Sequence, residues 1–188
     1  MKRMIILGAP GAGKGTQAGL LCDRFGIPQI STGAIFRANV AQGTELGKIA
    51  QGYIDQGAFV PDEITDALVK DRLNQDDTKD GFLLDGYPRT LAQVGALDIV
   101  LSEQGHELDI VIELVTEKHE IVQRLLKRAQ IEGRADDTEE VISRRMDTYA
   151  EETKPLSRIY AERGILAEVD GLGTIDDVQA RILDLIER

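Results

Sequence analysis

The sequence predicts an α/β fold in three layers, a five-stranded parallel sheet with helices on both faces. Three observations carry this. Short apolar runs at 4–7, 28–30, 81–85, 110–114 and 165–169 alternate with stretches of helical periodicity, the order that builds parallel sheets through helical crossovers. The runs are too uniformly apolar to face water on either side, as strands buried on both faces must be. The first run also passes through a glycine-rich turn into a helical pattern with apolar positions at Ala18, Leu21, Cys22 and Phe25.

That turn is Gly8-Ala9-Pro10-Gly11-Ala12-Gly13-Lys14-Gly15-Thr16, nine residues with four glycines and one lysine. Glycines at a strand-to-helix junction let backbone N–H groups approach an anion closely, and the helix N-terminus adds its positive dipole end. Lys14 adds a full charge able to reach outer phosphates. Gly8, Gly13 and Lys14 fit the spacing G-x-x-x-x-G-K, but Gly15 stands where Ser or Thr usually holds Mg²⁺. The hydroxyl is displaced to Thr16, so a metal here is expected to rest mainly on phosphates and water, consistent with the reluctance of Mg²⁺ to dehydrate.

A chain of 188 residues with 42% hydrophobic content suits one domain with small excursions. Its net charge of −11 argues against nucleic acid as a partner, which gives any local cluster of arginines more meaning. Cys22 is the sole cysteine, so neither an internal disulfide nor a cysteine-rich zinc site is expected. The apolar run after the basic start is only four residues long and no stretch approaches a membrane span. A cytoplasmic protein without membrane contact, monomeric by default, is the expectation.

Two excursions interrupt the alternation. Residues 31–60 read as two short helices with Gly43, Gly47, Gly52 and Gly57 between or within them, and interior glycines cost about 1 kcal/mol each in helix stability. Pro61-Asp62-Glu63 then restarts a regular helix to about residue 74. The second excursion is residues 127–137. Asp137 with Glu140 has capping-box spacing for the next helix, which carries Val141, Arg145, Thr148 and Tyr149 and should stop or kink near Pro155. Thr174 with Asp177 marks the start of a closing amphipathic helix to residue 186.

Phe82-Leu83-Leu84-Asp85 is an apolar strand ending in a carboxylate, the arrangement that sets an acid beside a phosphate-bound metal. Arginines recur at 37, 89, 124, 128, 134, 144 and 145. Arg124 and Arg128 share a helix face, where Glu117, Glu120 or Glu132 would be local partners. Arg144 and Arg145 diverge by about 100° and cannot both serve one cleft. Such an inventory suits phosphoryl transfer, in which an anionic transition state is stabilised by placed charge more than by a base. His106 and His119 read as exposed residues outside the chemistry.

With these residues in view the chain resembles the adenylate kinases over nearly its whole length. Gly8 to Gln17 is similar to the family's phosphate loop, including glycine after the lysine, and Asp85-Gly86-Tyr87-Pro88-Arg89 resembles its D-G-[FY]-P-R signature. Ser31-Thr32-Gly33 with Arg37 looks like the start of the nucleoside-monophosphate subdomain, and Arg134-Ala135-Asp136-Asp137 with Arg145 is similar to the family's R-x-D-D segment and later arginine. The resemblance implies the three-layer P-loop kinase fold, with a core of 1–30, 61–126 and 138–188, a nucleoside-monophosphate subdomain at 31–60 and a short lid at 127–137 lacking metal-binding cysteines. It implies Mg²⁺-dependent, reversible transfer of the terminal phosphoryl group of ATP to AMP, giving two ADP.

By the same resemblance Gly11, Ala12, Gly13, Lys14, Gly15 and Thr16 hold ATP phosphates with Arg128, while Arg124 packs on ATP adenine and the Gly173 carbonyl meets that base. Thr32, Arg37, Ala58, Phe59, Val60, Gly86, Tyr87, Pro88, Arg89 and Gln93 hold AMP. Arg37 and Arg89 grip its phosphate and the Gln93 amide reads the adenine edge. Lys14, Arg89, Arg128, Arg134 and Arg145 surround the moving phosphoryl group, and Asp85 orients waters on Mg²⁺. Ala34 departs from the family's common Asp. The alternatives are a UMP or CMP kinase, against which Thr32 and Gln93 count, and a nucleotide-binding switch without transfer, against which the absence of N-K-x-D and the second arginine-rich site count.

Overall fold

The computed structural model describes residues 2–132 and 138–187. β1 (Lys2–Gly8), β2 (Gln29–Ser31), β3 (Gly81–Asp85), β4 (Ile110–Val115) and β5 (Leu166–Asp170) form a five-stranded sheet in the order β2-β3-β1-β4-β5. Every pairing is parallel, for instance Ile6 with Asp85 and Leu7 with Glu113. Each apolar run is thus a strand, with bounds moved by at most two residues.

Alternation along β1 explains how one strand feeds two cores. Met4 and Ile6 face α1 (Lys14–Phe25) and α9 (Ile175–Ile186), joining Leu21, Cys22, Val178 and Ile182. Ile5 and Leu7 face the other way, toward Val69 and Leu73 of α4 (Asp62–Leu73), Val94 and Leu97 of α5 (Leu91–Glu103), and Leu156 and Tyr160 of α8 (Leu156–Glu162). Burial of each large aliphatic side chain contributes about 1.5–3 kcal/mol, so both helix layers are held by the same two-residue period. The chain leaves β1 for α1 on one face and β3 for α5 on the other, although β1 and β3 are neighbours. Their carboxyl ends therefore open into a crevice, the place where open α/β sheets bind ligands.

The remaining helices depart from the core. α2 (Thr32–Gln42) and α3 (Glu45–Asp55) pack on each other around a separate small cluster of Phe36, Ala50 and Val60, backed by Leu46, Ile54, Ile64 and Leu68. α6 (Lys118–Glu132) and α7 (Glu139–Thr148) share a cluster of Ile121, Leu125 and Ile142 with Ala9. α9 has the capping box expected from Thr174 and Asp177.

Local readings differ at four places. α6 stays helical through residue 132, so the first half of the expected excursion at 127–137 is ordinary helix. α7 is capped by Thr138, whose hydroxyl accepts from the Val141 N–H. Capping-box spacing had pointed to Asp137, which lies outside the described residues, but a β-region hydroxyl one residue later fills the same need. Before Pro155 the chain neither stops nor simply kinks. It widens into a π turn at Tyr149–Thr153, closed by Lys154 N–H on the Tyr149 carbonyl at 2.8 Å. Pro155 has no N–H to extend the α ladder, and a single wide turn absorbs the loss before α8 begins. His106 is half-buried with an enclosed Nδ1, unlike the expected exposed residue, while His119 is exposed.

Candidate active site

The phosphate loop closes one side of the crevice. Ala12 N–H bonds back to the Ala9 carbonyl at 3.1 Å, and Gly13 caps α1 at φ 97°, a left-handed conformation that L side chains rarely adopt. No side chain caps this helix, which leaves the first-turn N–H groups for an external acceptor. Lys14 Nζ lies inside the loop and donates to the Gly8 and Ala9 carbonyls at 2.8 and 2.9 Å. Burial lowers its pKa to about 8. Asp85 opposes that shift, and the guanidinium groups of Arg89, Arg145 and Arg128 add to it. One lysine therefore registers three arginines from distant parts of the sequence.

The loop after β3 forms the opposite wall. Gly86 has φ 81°, and its carbonyl accepts from the Thr32 hydroxyl at 2.9 Å and from Arg89 Nε at 2.7 Å. A Cβ at Gly86 would stand 2.8 Å from an Arg89 Nη and 3.1 Å from Thr32 Oγ1, so glycine makes room for the arginine. The Arg89 guanidinium lies 5.0 Å from the centre of the Phe59 ring, within cation–π range. Its backbone N–H donates to Gln93 Oε1 at 2.7 Å, while Gln93 Nε2 donates to Asp62 at 2.7 Å. Arg37 packs over Gly33, one turn into α2. The Tyr87–Pro88 peptide is cis.

Lys14, Thr32, Arg37, Ala58, Phe59, Val60, Gly86, Pro88, Arg89, Gln93 and Arg145 all line this one cleft. A loop of main-chain donors with a lysine faces a set of guanidinium groups across it, in a chain of net charge −11. A sequence model of the family described as "Adenylate kinase" matches residues 6–165. The chain belongs to the adenylate kinase family. A protein named "Adenylate kinase" from Nocardioides sp. is 56% identical over 185 residues, covering 98% of this chain and 97% of its own length. One of the same name from Kocuria rhizophila is 55% identical over 188 residues, with complete coverage of both chains. Another from Thermobifida fusca is 51% identical over 185 residues, 98% of each.

Not every residue drawn from the adenylate kinase pattern sits in the cleft. Tyr87 is 1% exposed and turned into the core, with its hydroxyl on Asp66 at 2.6 Å. Burial and Asp66 push its pKa upward, so it stays a neutral donor. Arg124 reaches the far side of the phosphate loop, donating to the Gly171 carbonyl at 3.1 Å and the Ala12 carbonyl at 3.5 Å, with Glu120 3.6 Å away. It therefore lies between the loop and the segment after β5 that contains Gly173. Gly15 and Thr16 are exposed at the start of α1. Arg144 pairs with Glu140 at the surface while Arg145 enters the cleft, the divergence expected of adjacent helical residues. Arg134 lies outside the described residues.

Adenylate kinases use Mg-ATP, and the residues at the end of β3 fit a hydrated cation. Asp85 is 9% exposed, accepts from Gln29 Nε2 at 3.3 Å, and points an oxygen to within 3.7 Å of where a Cβ at Gly15 would lie. Among the described residues no group of three or more His, Cys, Asp or Glu is placed to hold a metal. Asp85 would accept from waters on a cation whose own ligands are phosphate and water. No helix among the described residues is long and apolar enough to cross a membrane.

Sequence reasoning passed over Gly57, Tyr149 and Thr153 as cleft residues. The two last follow Arg145 by four and eight residues, a helical spacing that signals a shared face. Gly57 packs against Val141 and Arg145 of α7, a contact between segments 84 and more residues apart that no local pattern announces.

Proposed function

We propose that this cleft carries the ATP:AMP phosphotransfer of the family, with ATP phosphates on the first turn of α1 and Lys14, and AMP between Thr32, Arg37, Arg89 and Gln93. The supporting observation is the placement of Lys14, Arg37, Arg89 and Arg145 around one cleft. An oxygen of the AMP phosphate attacks the terminal phosphorus of ATP, the bond to the bridging oxygen breaks, and both products are ADP. Arg89 and Arg37 orient the acceptor phosphate. Lys14, Arg128 and Arg145 offset charge on the equatorial oxygens, as a loose transition state requires. Arg124 and the Gly173 carbonyl serve the ATP base, and Arg134 is assigned to the transferring phosphoryl group by the family pattern alone. Gln93 keeps one amide hydrogen beyond its Asp62 bond for the acceptor base. Mg²⁺ carried by ATP would neutralise phosphate charge, with Asp85 orienting its waters.

The test is ADP formation from ATP with AMP, CMP, UMP or GMP offered in turn, with and without Mg²⁺. Strong preference for AMP and loss without Mg²⁺ are expected. Preference for a pyrimidine acceptor, or ATPase activity indifferent to all four, would overturn the assignment.

Lys14 gives the cleft a pH dependence. With a pKa of about 8 in the nucleotide-free protein, the ammonium is present below pH 8 and lost above it. The Kd for ATP should be flat near pH 7.5 and rise toward about tenfold per pH unit above 8, with proton uptake on binding seen by calorimetry. Lys14→Met should remove the dependence. The same depressed pKa makes the Lys14 contribution to folding stability rise with pH between about 8 and its unfolded value near 10.5. A Kd constant from pH 7.5 to 9.5 would contradict this.

A further inference from the structure

We propose that the π turn at Tyr149–Thr153 is a strut fixing Arg145 relative to Arg89, with Thr153 and Tyr149 as positioning residues for phosphoryl transfer. This rests on the roles proposed above for those two arginines. Thr153 is 6% exposed and its hydroxyl donates to the backbone carbonyl of Arg89 at 2.9 Å, across 64 residues of sequence. It ties the turn to the acceptor-phosphate wall by the very residue that carries the guanidinium. At the other end, the Tyr149 ring packs on the cluster that contains Ala9 of the phosphate loop. Its hydroxyl points at Glu113 Oε1, 3.5 Å away, on the strand position paired with Leu7.

Glu113 is a buried carboxylate, 6% exposed, on β4 beside the central strand β1. A buried carboxylate is costly without a donor, so its position favours the Tyr149 hydroxyl being aimed inward. Tyr149 N–H in turn bonds to the Arg145 carbonyl. Arg145, Tyr149, Thr153 and Arg89 all line the cleft, so the turn spans from the donor side to the acceptor side through one continuous set of bonds. Its wide geometry lets the helix pass from α7 to α8 while Thr153 still reaches Arg89.

Thr153→Val removes the donor and keeps the shape. It should lower kcat about tenfold, with KM for ATP and AMP each within about twofold, because the substrates are still held and only the alignment of the two arginines is lost. Thr153→Ser should restore most of kcat. Tyr149→Phe, which keeps the packed ring, should show the same pattern more weakly, and it serves if the valine variant does not fold by circular dichroism. In an Arg145→Ala background Thr153→Val should add little further loss, since the strut acts through that arginine. Unchanged kcat in both hydroxyl-deleted variants, no rescue by serine, or full additivity with Arg145→Ala would overturn the proposal. Failure of the wild-type chain to form ADP would instead overturn the function on which it rests.

Discussion

Arg89→Lys is expected to lower kcat for ADP formation by at least about a hundredfold while changing KM for ATP less than about threefold. A single arginine contributes ~10³–10⁵ in rate where it stabilises a transferring phosphoryl group, and lysine retains the charge, so the lower part of the range applies. What lysine loses is geometry. Arg89 donates Nε to the Gly86 carbonyl at 2.7 Å, and its guanidinium lies over the Phe59 ring. A planar fork with five donors can make that anchor and a paired phosphate contact at once, and an ammonium cannot. The Gly86 geometry is cut to fit the fork, as the 2.8 Å approach of a hypothetical Cβ shows. A coupled assay with both substrates varied separates the terms, and near-normal turnover by the lysine variant would refute the role of Arg89.

Much of this site was legible in the sequence because its parts are local. A phosphate loop needs only a strand end, glycines where φ turns positive, and a lysine at fixed spacing, all within nine residues. Asp85 was legible for the same reason, as the last residue of an apolar run. The two-faced sheet followed from run composition, and the strand bounds came out within two residues. Features made by contacts between distant segments left no such trace. That Tyr87 turns inward depends on Asp66 of α4, the two uses of the Gln93 amide depend on Asp62, and the cleft position of Thr153 depends on an Arg89 carbonyl. The π turn was half legible, since Pro155 announces a break but not its form. Thr138 instead of Asp137 as the cap of α7 turned on one residue of register, which composition does not resolve.

Gly47→Ala is expected to raise KM for AMP at least about tenfold and to leave the Kd for ATP within about twofold. Two principles oppose each other here. Gly47 lies in the first turn of α3, where alanine would favour the helix by about 1 kcal/mol. Yet a Cβ at this position would overlap the backbone carbonyl of Asn39 in α2, and backbone cannot step aside as the end of a side chain can. To admit the methyl, α2 and α3 must separate. That movement strains the Thr44 N–H bond to the Asn39 carbonyl at 3.2 Å and the Thr44 hydroxyl cap on Gly47 N–H at 3.0 Å, and it opens the cluster of Phe36, Ala50 and Val60. Overpacking costs about 1–3 kcal/mol and loss of a cap about 1 kcal/mol, so the steric cost exceeds the helical gain. Because the buried residues of that cluster are distinct from those of the two sheet-facing cores, with Leu68 packing against both it and one of them, the opening stays mostly local, and Thr32 and Arg37 on α2 move with it while the phosphate loop does not. Hydrogen exchange in 31–60 should accelerate with little change around β1 and α1. Unchanged KM for AMP with a raised melting temperature would mean that helix propensity, not close packing, governs this position.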